Sequence, residues 1–108
     1  MRQVSKKRAA ERTARLALLE RIAKRDGGCV ARPGGRFDLG TACSTIPGRY
    51  AFEGHELVRR SQFAGGHLVD DNVVTLCSGH HEFVTANPAA AKSAGLSITR
   101  WDWDNGQR

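Results

Sequence analysis

The sequence is poor in the residues that build large hydrophobic cores. Only 6% of its 108 residues are aromatic, and no apolar run approaches the roughly 18 residues of a membrane-spanning helix. The first residues are basic, but no apolar stretch follows them, so the sequence predicts no signal peptide. We expect one small cytoplasmic domain without a membrane association, whose modest core would gain from a structural metal.

Cysteine is also scarce, and its number is odd. Three cysteines without an export signal argue against a disulfide framework and favour reduced thiols that bind metal. Cys77 and His80 have the spacing of a tight zinc-binding turn, while Cys29 and Cys43 flank a loop of thirteen residues. These four residues predict a Cys₃His zinc site. The alternative is that Cys29 and Cys43 are unrelated buried thiols, and the complete ligand set favours zinc.

Acidic residues are rare near the N-terminus. Residues 1–25 contain nine Lys or Arg and two Glu, so this segment carries all of the net charge of +6. A local basic cluster is typical of a phosphate-binding protein, although a solvated helix face has the same composition. The candidate phosphate contacts fall in two basic groups, namely Lys6, Lys7, Arg8 and Arg12, and the pair Arg59 and Arg60.

One long helix is predicted over residues 5–25, with Ser5 as its cap and Gly27 after its end. Its first half has almost nothing to bury and is expected to project from the domain or to order on a partner. The apolar stripe is predicted in the second half, at Leu16, Leu19, Ile22 and Ala23.

The rest of the chain predicts an α+β domain. Residues 27–48 are rich in Gly and polar groups and predict a loop, followed by a strand over 50–58 and an antiparallel strand over 72–76. A helix is expected from Ser78, and a short helix from Asn87-Pro88 to Gly95. Residues 96–101 predict a last strand, on which Trp101 and Trp103 would pack from the same face.

A series of short motifs then resembles the HNH endonucleases of the small phage-encoded type. The motifs run from His55-Glu56-Leu57-Val58-Arg59-Arg60-Ser61 through Gly65-Gly66, Asp71-Asn72 and Leu76-Cys77 to His81. The resemblance covers roughly residues 27–90 and implies a ββα-metal (HNH) domain with a zinc knuckle, which we assign to 27–108, with the basic helix of residues 1–26 as an N-terminal arm. It also implies metal-dependent hydrolysis of double-stranded DNA in a bacterial host cell, by analogy beside a phage terminase.

The resemblance further implies a catalytic site. His81 matches a ligand of the catalytic ion, and Asn72 matches the Asn that braces the loop or touches the metal. His55 and Glu56 can be aligned in two ways: His55 as a metal ligand with Glu56 as the base, or His55 as the base. Thr85 replaces a further metal-binding His of some relatives, and so few protein ligands favour Mg²⁺ or Mn²⁺.

Two other functions fit the same residues. The first is a zinc-stabilised DNA-binding module without cleavage activity, for which the argument is Gly54 at a position where relatives have a ligand. The second is an interaction protein that docks on an acidic partner through its basic helix.

Overall fold

The computed structural model describes residues 3–106, with side chains from Lys6 onward. It has the predicted α+β composition, with four helices and one two-stranded sheet among the described residues. Two single-turn 3₁₀ helices, Gly66–Leu68 and Asp70–Asn72, precede the second strand. The helices and strands are α1 (Gln3–Asp26), β1 (Phe52–Glu56), β2 (Val73–Cys77), α2 (Ser78–Ala86), α3 (Pro88–Ser93) and α4 (Arg100–Asp104).

Helix α1 has the predicted length, but two details of its prediction are wrong. The helix already includes Gln3, so Ser5 lies inside it and is not its N-cap. Of the predicted apolar stripe, Ile22 is buried and Leu19 is partly buried against it, whereas Leu16 is 61% exposed and Ala23 is also exposed. Leu18, which the predicted stripe omits, is buried and packs with Ile22 on Val73 of β2. Residues four apart share one face of a helix, and the face that contains Leu18 and Ile22 is the one that packs against the sheet. Residues 6–14 are all exposed, as their polar composition predicts.

The two strands pair in antiparallel register, as predicted, with His55 opposite Val74 and Glu53 opposite Leu76. Directly opposite residues lie on the same face of a sheet, and neighbours in a strand point to opposite faces. Val74 and Leu76 belong to the main core, whereas Val73 packs on α1. The sheet is therefore covered on both faces, and its two faces separate the odd-numbered from the even-numbered residues of β1.

The C-terminal segment differs from the predicted last strand. Residues 100–104 form α4, because the Oγ1 of Thr99 accepts a hydrogen bond from the backbone N–H of Asp102 and caps a helix. Trp101 is 67% exposed, so its predicted core role is wrong, while Trp103 lies 5.3 Å from Phe63 between ring centroids. Local capping thus outweighed the alternating pattern of residues 96–101.

The strands are close to their predicted positions, although β1 is shorter than the predicted 50–58 and β2 begins one residue after the predicted Asn72. Two further predictions agree with the structure. Residues 27–48 form a loop without regular strands or helices, and α3 begins at Pro88 and is followed by Gly95 with φ 84°. Among residues 3–106, no helix combines the length and the hydrophobicity needed to cross a bilayer.

Candidate metal centre and catalytic site

The four predicted zinc ligands meet in space. The ligand atoms of Cys29, Cys43, Cys77 and His80 all lie within 4.8 Å of one another. The Nδ1 of His80 lies 3.3 Å from the Sγ atoms of Cys29 and Cys77 and 3.9 Å from that of Cys43. In a tetrahedral zinc site, bonds of about 2.3 Å to sulfur and 2.0 Å to nitrogen place these atoms roughly 3.5 Å apart. The four residues are therefore positioned to hold a metal ion, and their donor set fits zinc.

Three segments bring these ligands together. Cys77 ends β2 and caps α2, and its Sγ accepts the backbone N–H of His80 at 3.3 Å. Cys29 is placed beside Cys77 because the N–H of Val30 donates to the carbonyl of Thr75, at 2.9 Å. The first turn of α2 thus supplies two ligands, and the loop supplies the other two.

Gly79 explains how the loop of Cys43 reaches the cluster. Its N–H donates to the carbonyl of Ser44 at 3.0 Å, and a Cβ at position 79 would lie 1.8 Å from the Oγ of Ser44. The hydroxyl of Ser78 also accepts the N–H of Ile46 at 2.8 Å. A glycine suits this position because the hydroxyl of Ser44 occupies the space that a Cβ would need and the carbonyl oxygen of Ser44 would lie only 3.0 Å from that Cβ.

The tautomer of His80 is determined by its second nitrogen. Its Nε2 lies 3.1 Å from the carbonyl oxygen and 2.9 Å from the hydroxyl of Thr41. Because a carbonyl oxygen only accepts, Nε2 carries the proton and the lone pair of Nδ1 points at the three sulfurs. This is the outer-shell contact that holds a metal-binding imidazole in place.

The electrostatics of the thiols also favours a cation. Desolvation and the neighbouring sulfurs of Cys29 and Cys77 raise the pKa of the Cys43 thiol to about 12. The N–H groups of His80 and Ser44 outweigh desolvation at Cys77 and lower the pKa of its thiol. Several thiolates this close repel one another, and a divalent cation would offset that repulsion.

A second group of side chains lies on the core face of β1. The rings of His55 and His81 meet edge to face with centroids 5.4 Å apart. The Nε2 of His55 lies 2.6 Å from the carbonyl oxygen of Leu96 and must donate to it, which leaves the Nδ1 lone pair free. Burial outweighs this hydrogen bond and lowers the pKa of His55, so its imidazole is neutral near pH 7.

Glu53 lies beside His55 and His81, and it is not among the site residues predicted from the sequence. Its Oε1 lies 2.6 Å from the Nδ1 of His81, and Arg49 grips the same carboxylate at 2.6 and 3.1 Å. The hydrogen bonds from Arg49 and His81 lower the pKa of Glu53 to about 2. The sequence feature that could have identified Glu53 is the two-residue period of a strand, which places residues 53 and 55 on the same face.

Glu56 lies on the other face of the strand, which separates it from His81. Its Oε2 lies 3.8 Å from Nη2 of Arg15 and 3.5 Å from Nη2 of Arg60. Gly54 shares this face, since a Cβ there would lie 2.4 Å from Leu19 of α1. The alignment with His55 on the ion and Glu56 as the base needs both side chains at one site. The pleat of β1 instead directs them to opposite faces of the strand.

Asn72 is fully buried and makes three hydrogen bonds, two with Val58 before the loop over residues 59–71 and one with Gly66 inside that loop. Its amide accepts the N–H of Val58 and donates to the carbonyls of Val58 and Gly66, at 2.9, 3.0 and 3.2 Å. These contacts close the loop between the strands and leave both amide atoms engaged with backbone.

The predicted catalytic ion site has fewer ligands than the zinc site. Within residues 6–106, only the Cys₃His group brings three or more ligand atoms of Cys, His, Asp or Glu within 4.8 Å of one another. His55 and His81 are neighbours but do not form such a group with Glu53. An ion held by His81 would therefore rely on water and substrate oxygens for most of its ligands, as Mg²⁺ and Mn²⁺ commonly do.

The basic residues assigned to DNA divide into two surfaces. Lys6, Lys7, Arg8 and Arg12 are exposed and form no ion pair with the described part of the chain, whereas Arg21 is paired with Asp70. Arg59 and Lys92 line a cavity of about 350 Å³ together with His55 and Glu56. Arg59 and Arg60 are exposed.

Comparison with models of known protein families, with curated proteins and with solved structures finds no match to this chain. The function is therefore inferred from the site.

Proposed function

We propose that the protein is a metal-dependent DNA endonuclease of the HNH type, stabilised by a structural zinc at Cys29, Cys43, Cys77 and His80. The observation that carries the proposal is the meeting of His55 and His81 next to the Cys₃His cluster. The two histidines are more than twenty residues apart in sequence and are brought together by an antiparallel strand pair followed by a helix. This order of elements supports the ββα-metal assignment made from the motifs.

His55 is suited to act as a general base. Hydrolysis of a phosphodiester needs a group that takes a proton from water, and a neutral imidazole does this well near pH 7. The Leu96 carbonyl holds Nε2–H, so the basic lone pair is on Nδ1. A divalent cation such as Mg²⁺ or Mn²⁺ at His81 would stabilise the charge on the scissile phosphate and the leaving oxygen.

The basic surfaces support DNA as the substrate. The exposed cations of the first half of α1 can contact phosphates without reading sequence, and Arg59 with Lys92 place positive charge in the cavity beside His55. A bacterial cell that carries a phage or prophage is the setting we propose, with the packaging terminase as a partner by analogy.

A zinc-stabilised DNA-binding module without cleavage activity is the second candidate. Two observations favour it: among residues 6–106, no third ligand atom completes a group with His55 and His81, and a Cβ at Gly54 would lie against Leu19 of α1. The two candidates share the zinc site and the basic surfaces and differ only in the chemistry at His55 and His81.

Plasmid nicking separates the two candidates. Zinc-loaded protein is incubated with supercoiled plasmid and Mn²⁺, and His81→Ala and a reaction with chelated Mn²⁺ serve as controls. The nuclease proposal predicts nicking that needs both Mn²⁺ and His81. Retardation of DNA without nicking in the parent protein would support the binding module, and failure to bind DNA would contradict both.

A further inference from the structure

The carboxylate of Glu53 occupies a fixed position between a cation and an imidazole. Arg49 binds it with Nε and Nη2, and the third partner is the Nδ1 of His81 at 2.6 Å. Arg49 is itself held by Glu82, whose Oε1 lies 2.5 Å from Nη1. The side chain of Glu53 is only 18% exposed, and Arg49 and His81 together determine the orientation of its carboxylate.

The strand pairing explains why this role falls to residue 53. Glu53 and His55 lie opposite Leu76 and Val74 on the core face of the sheet, the side from which α2 presents His81. A side chain at position 54 would instead meet Leu19 on the α1 face. A carboxylate that serves His81 must therefore stand at an odd-numbered position of β1.

We propose that Glu53 is a positioning residue for a divalent cation at His81: it holds the Nδ1–H of the imidazole and so presents the lone pair of Nε2 to the ion. An ionised carboxylate only accepts hydrogen bonds, so the contact at 2.6 Å requires the proton to be on Nδ1. Loss of such an outer-shell carboxylate typically weakens metal binding about 10–100-fold. The inference rests on the proposed function, since it concerns the same ion site.

The substitution Glu53→Met has a defined chemical consequence. Oε1 of Glu53 accepts from both Nη2 of Arg49 and Nδ1 of His81 at 2.6 Å, so the carbonyl oxygen of a glutamine would take its place and keep the proton on Nδ1. Methionine has nearly the length of glutamate but no strong acceptor, so it leaves Nδ1 of His81 without this partner. The imidazole is then free to carry its proton on Nε2, which removes the lone pair from the ligand atom.

Two measurements on zinc-loaded full-length protein test the inference. Mn²⁺ binding is titrated by electron paramagnetic resonance, and the tautomer of His81 is read from its ¹⁵N shifts without Mn²⁺. We expect at least about tenfold weaker Mn²⁺ binding in Glu53→Met and a mixture of His81 tautomers instead of the single Nδ1–H form. Glu20→Met is the matched control, because it removes the same charge at an exposed glutamate of α1, the helix that covers the other face of the sheet. It should leave both readouts unchanged.

The outcomes separate this inference from the proposed function. If His81→Ala weakens Mn²⁺ binding but Glu53→Met does not, the role of Glu53 is wrong and the ion site stands. If His81→Ala leaves Mn²⁺ binding unchanged, the ion site and this inference fail together. Weaker binding in Glu53→Met with an unchanged tautomer would make Glu53 a direct ligand and would also overturn the positioning role.

A second variant covers the case in which Glu53→Met does not fold, as judged by zinc content and cooperative melting. Glu53→Asp keeps the charge but withdraws the carboxylate by one methylene, so it should no longer reach His81 from β1. Weaker Mn²⁺ binding with a mixture of His81 tautomers is expected. Parental binding in a folded Glu53→Asp protein would contradict the inference.

Discussion

At the scale of single residues, the pleat of one short strand distinguishes His55 from Glu56. His55 faces the core side with His81, and Glu56 faces α1 with Arg15 and Arg60. Of the two alignments that the sequence left open, the geometry favours His55 as the base. Glu56 is then a residue that holds Arg15 and Arg60 near the site.

This distinction predicts different effects of two substitutions on cleavage. His55→Ala should lower the nicking rate by about 10²–10⁴-fold, the usual contribution of a general base. Glu56→Gln should keep most of the activity, because it keeps the shape and removes only partly exposed ion pairs. Burial lowers the pKa of His55, so the acidic limb of the parent's pH–rate profile should lie below about pH 6.5. An inactive Glu56→Gln with an active His55→Ala would instead make Glu56 the base.

Asp26 gives a prediction about stability at the same scale. Its carboxylate accepts the N–H of Thr75 at 2.9 Å and pairs with Arg25 at 2.7 Å. Burial raises the pKa of Asp26, but the hydrogen bonds from Arg25 and Thr75 outweigh it and the net shift is downward. A carboxyl group whose pKa is lower in the folded state stabilises the fold above its unfolded pKa, and this contribution is lost as pH falls.

Asp26→Asn should therefore lower the free energy of unfolding by about 1–2 kcal/mol at pH 7. The difference from the parent should shrink below about pH 4, where the carboxyl group takes up its proton. Urea denaturation at several pH values measures this, and Asp104→Asn, in an exposed pair with Arg100, serves as the control. A difference that does not change with pH would show that the charge of Asp26 is not the cause.

At the scale of elements, α1 has two parts with different tasks. Its second half is held to the domain by Leu18 and Ile22, and by Arg21 and Arg25, which bind acidic or backbone groups. Its first half, residues 6–14, is fully exposed. The cations in the first half are therefore available to a phosphate backbone.

Replacement of Lys7, Arg8 and Arg12 by Gln should weaken DNA binding about equally for all sequences. Each lost phosphate contact should reduce the slope of log K against log salt by about 0.9 for duplex DNA. The control replaces Lys24, Arg32 and Arg36, three cations near the other end of α1, with the same change in charge. Equal effects of the two triple variants would show that net charge matters and the position on α1 does not.

The contact between α2 and the Cys43 loop gives a second prediction at this scale. Gly79→Ala places a methyl group 1.8 Å from the Oγ of Ser44 and must displace the loop that carries Cys43. We expect weaker zinc binding in competition with a chelator. Ser44→Gly removes the Oγ and Cβ that would be struck, so the double variant should regain part of the affinity. A single Gly79→Ala variant with parental zinc affinity would contradict this account of the loop.

At the scale of the whole molecule, the Cys₃His cluster adds to the core contacts that join the long loop to the sheet. Residues 27–51 contain no regular element, and they reach the sheet through Val30, Ala31 and Phe37 in the main core, through backbone contacts and through two of the ligands. Binding of zinc to such a site contributes directly to folding, because the site does not exist in the unfolded chain.

Metal analysis of the purified protein should find about one zinc per chain, bound at the four ligands. Cys43→Ala should lose this zinc together with cooperative thermal unfolding, and a strong chelator should do the same to the parent. Thr45→Ala, an exposed neighbour in the same loop, is the control and should keep both. A zinc-free protein that unfolds cooperatively would refute the structural role of the metal.

Residue spacing and local conformational preference were enough to predict several features of this protein. The Cys77-x-x-His80 turn, the strand pair, the following helix and the exposed first half of α1 could all be predicted because neighbouring residues decide them. Tertiary structure decided which residues meet across the fold: the choice of Leu18 over Leu16, the separation of His55 from Glu56, and the contact of Glu53 with His81. These depend on the register of β1 with β2 and on the helix packed against each face. A register shift of one residue would exchange the two faces of β1, and no local pattern in residues 52–56 excludes that shift.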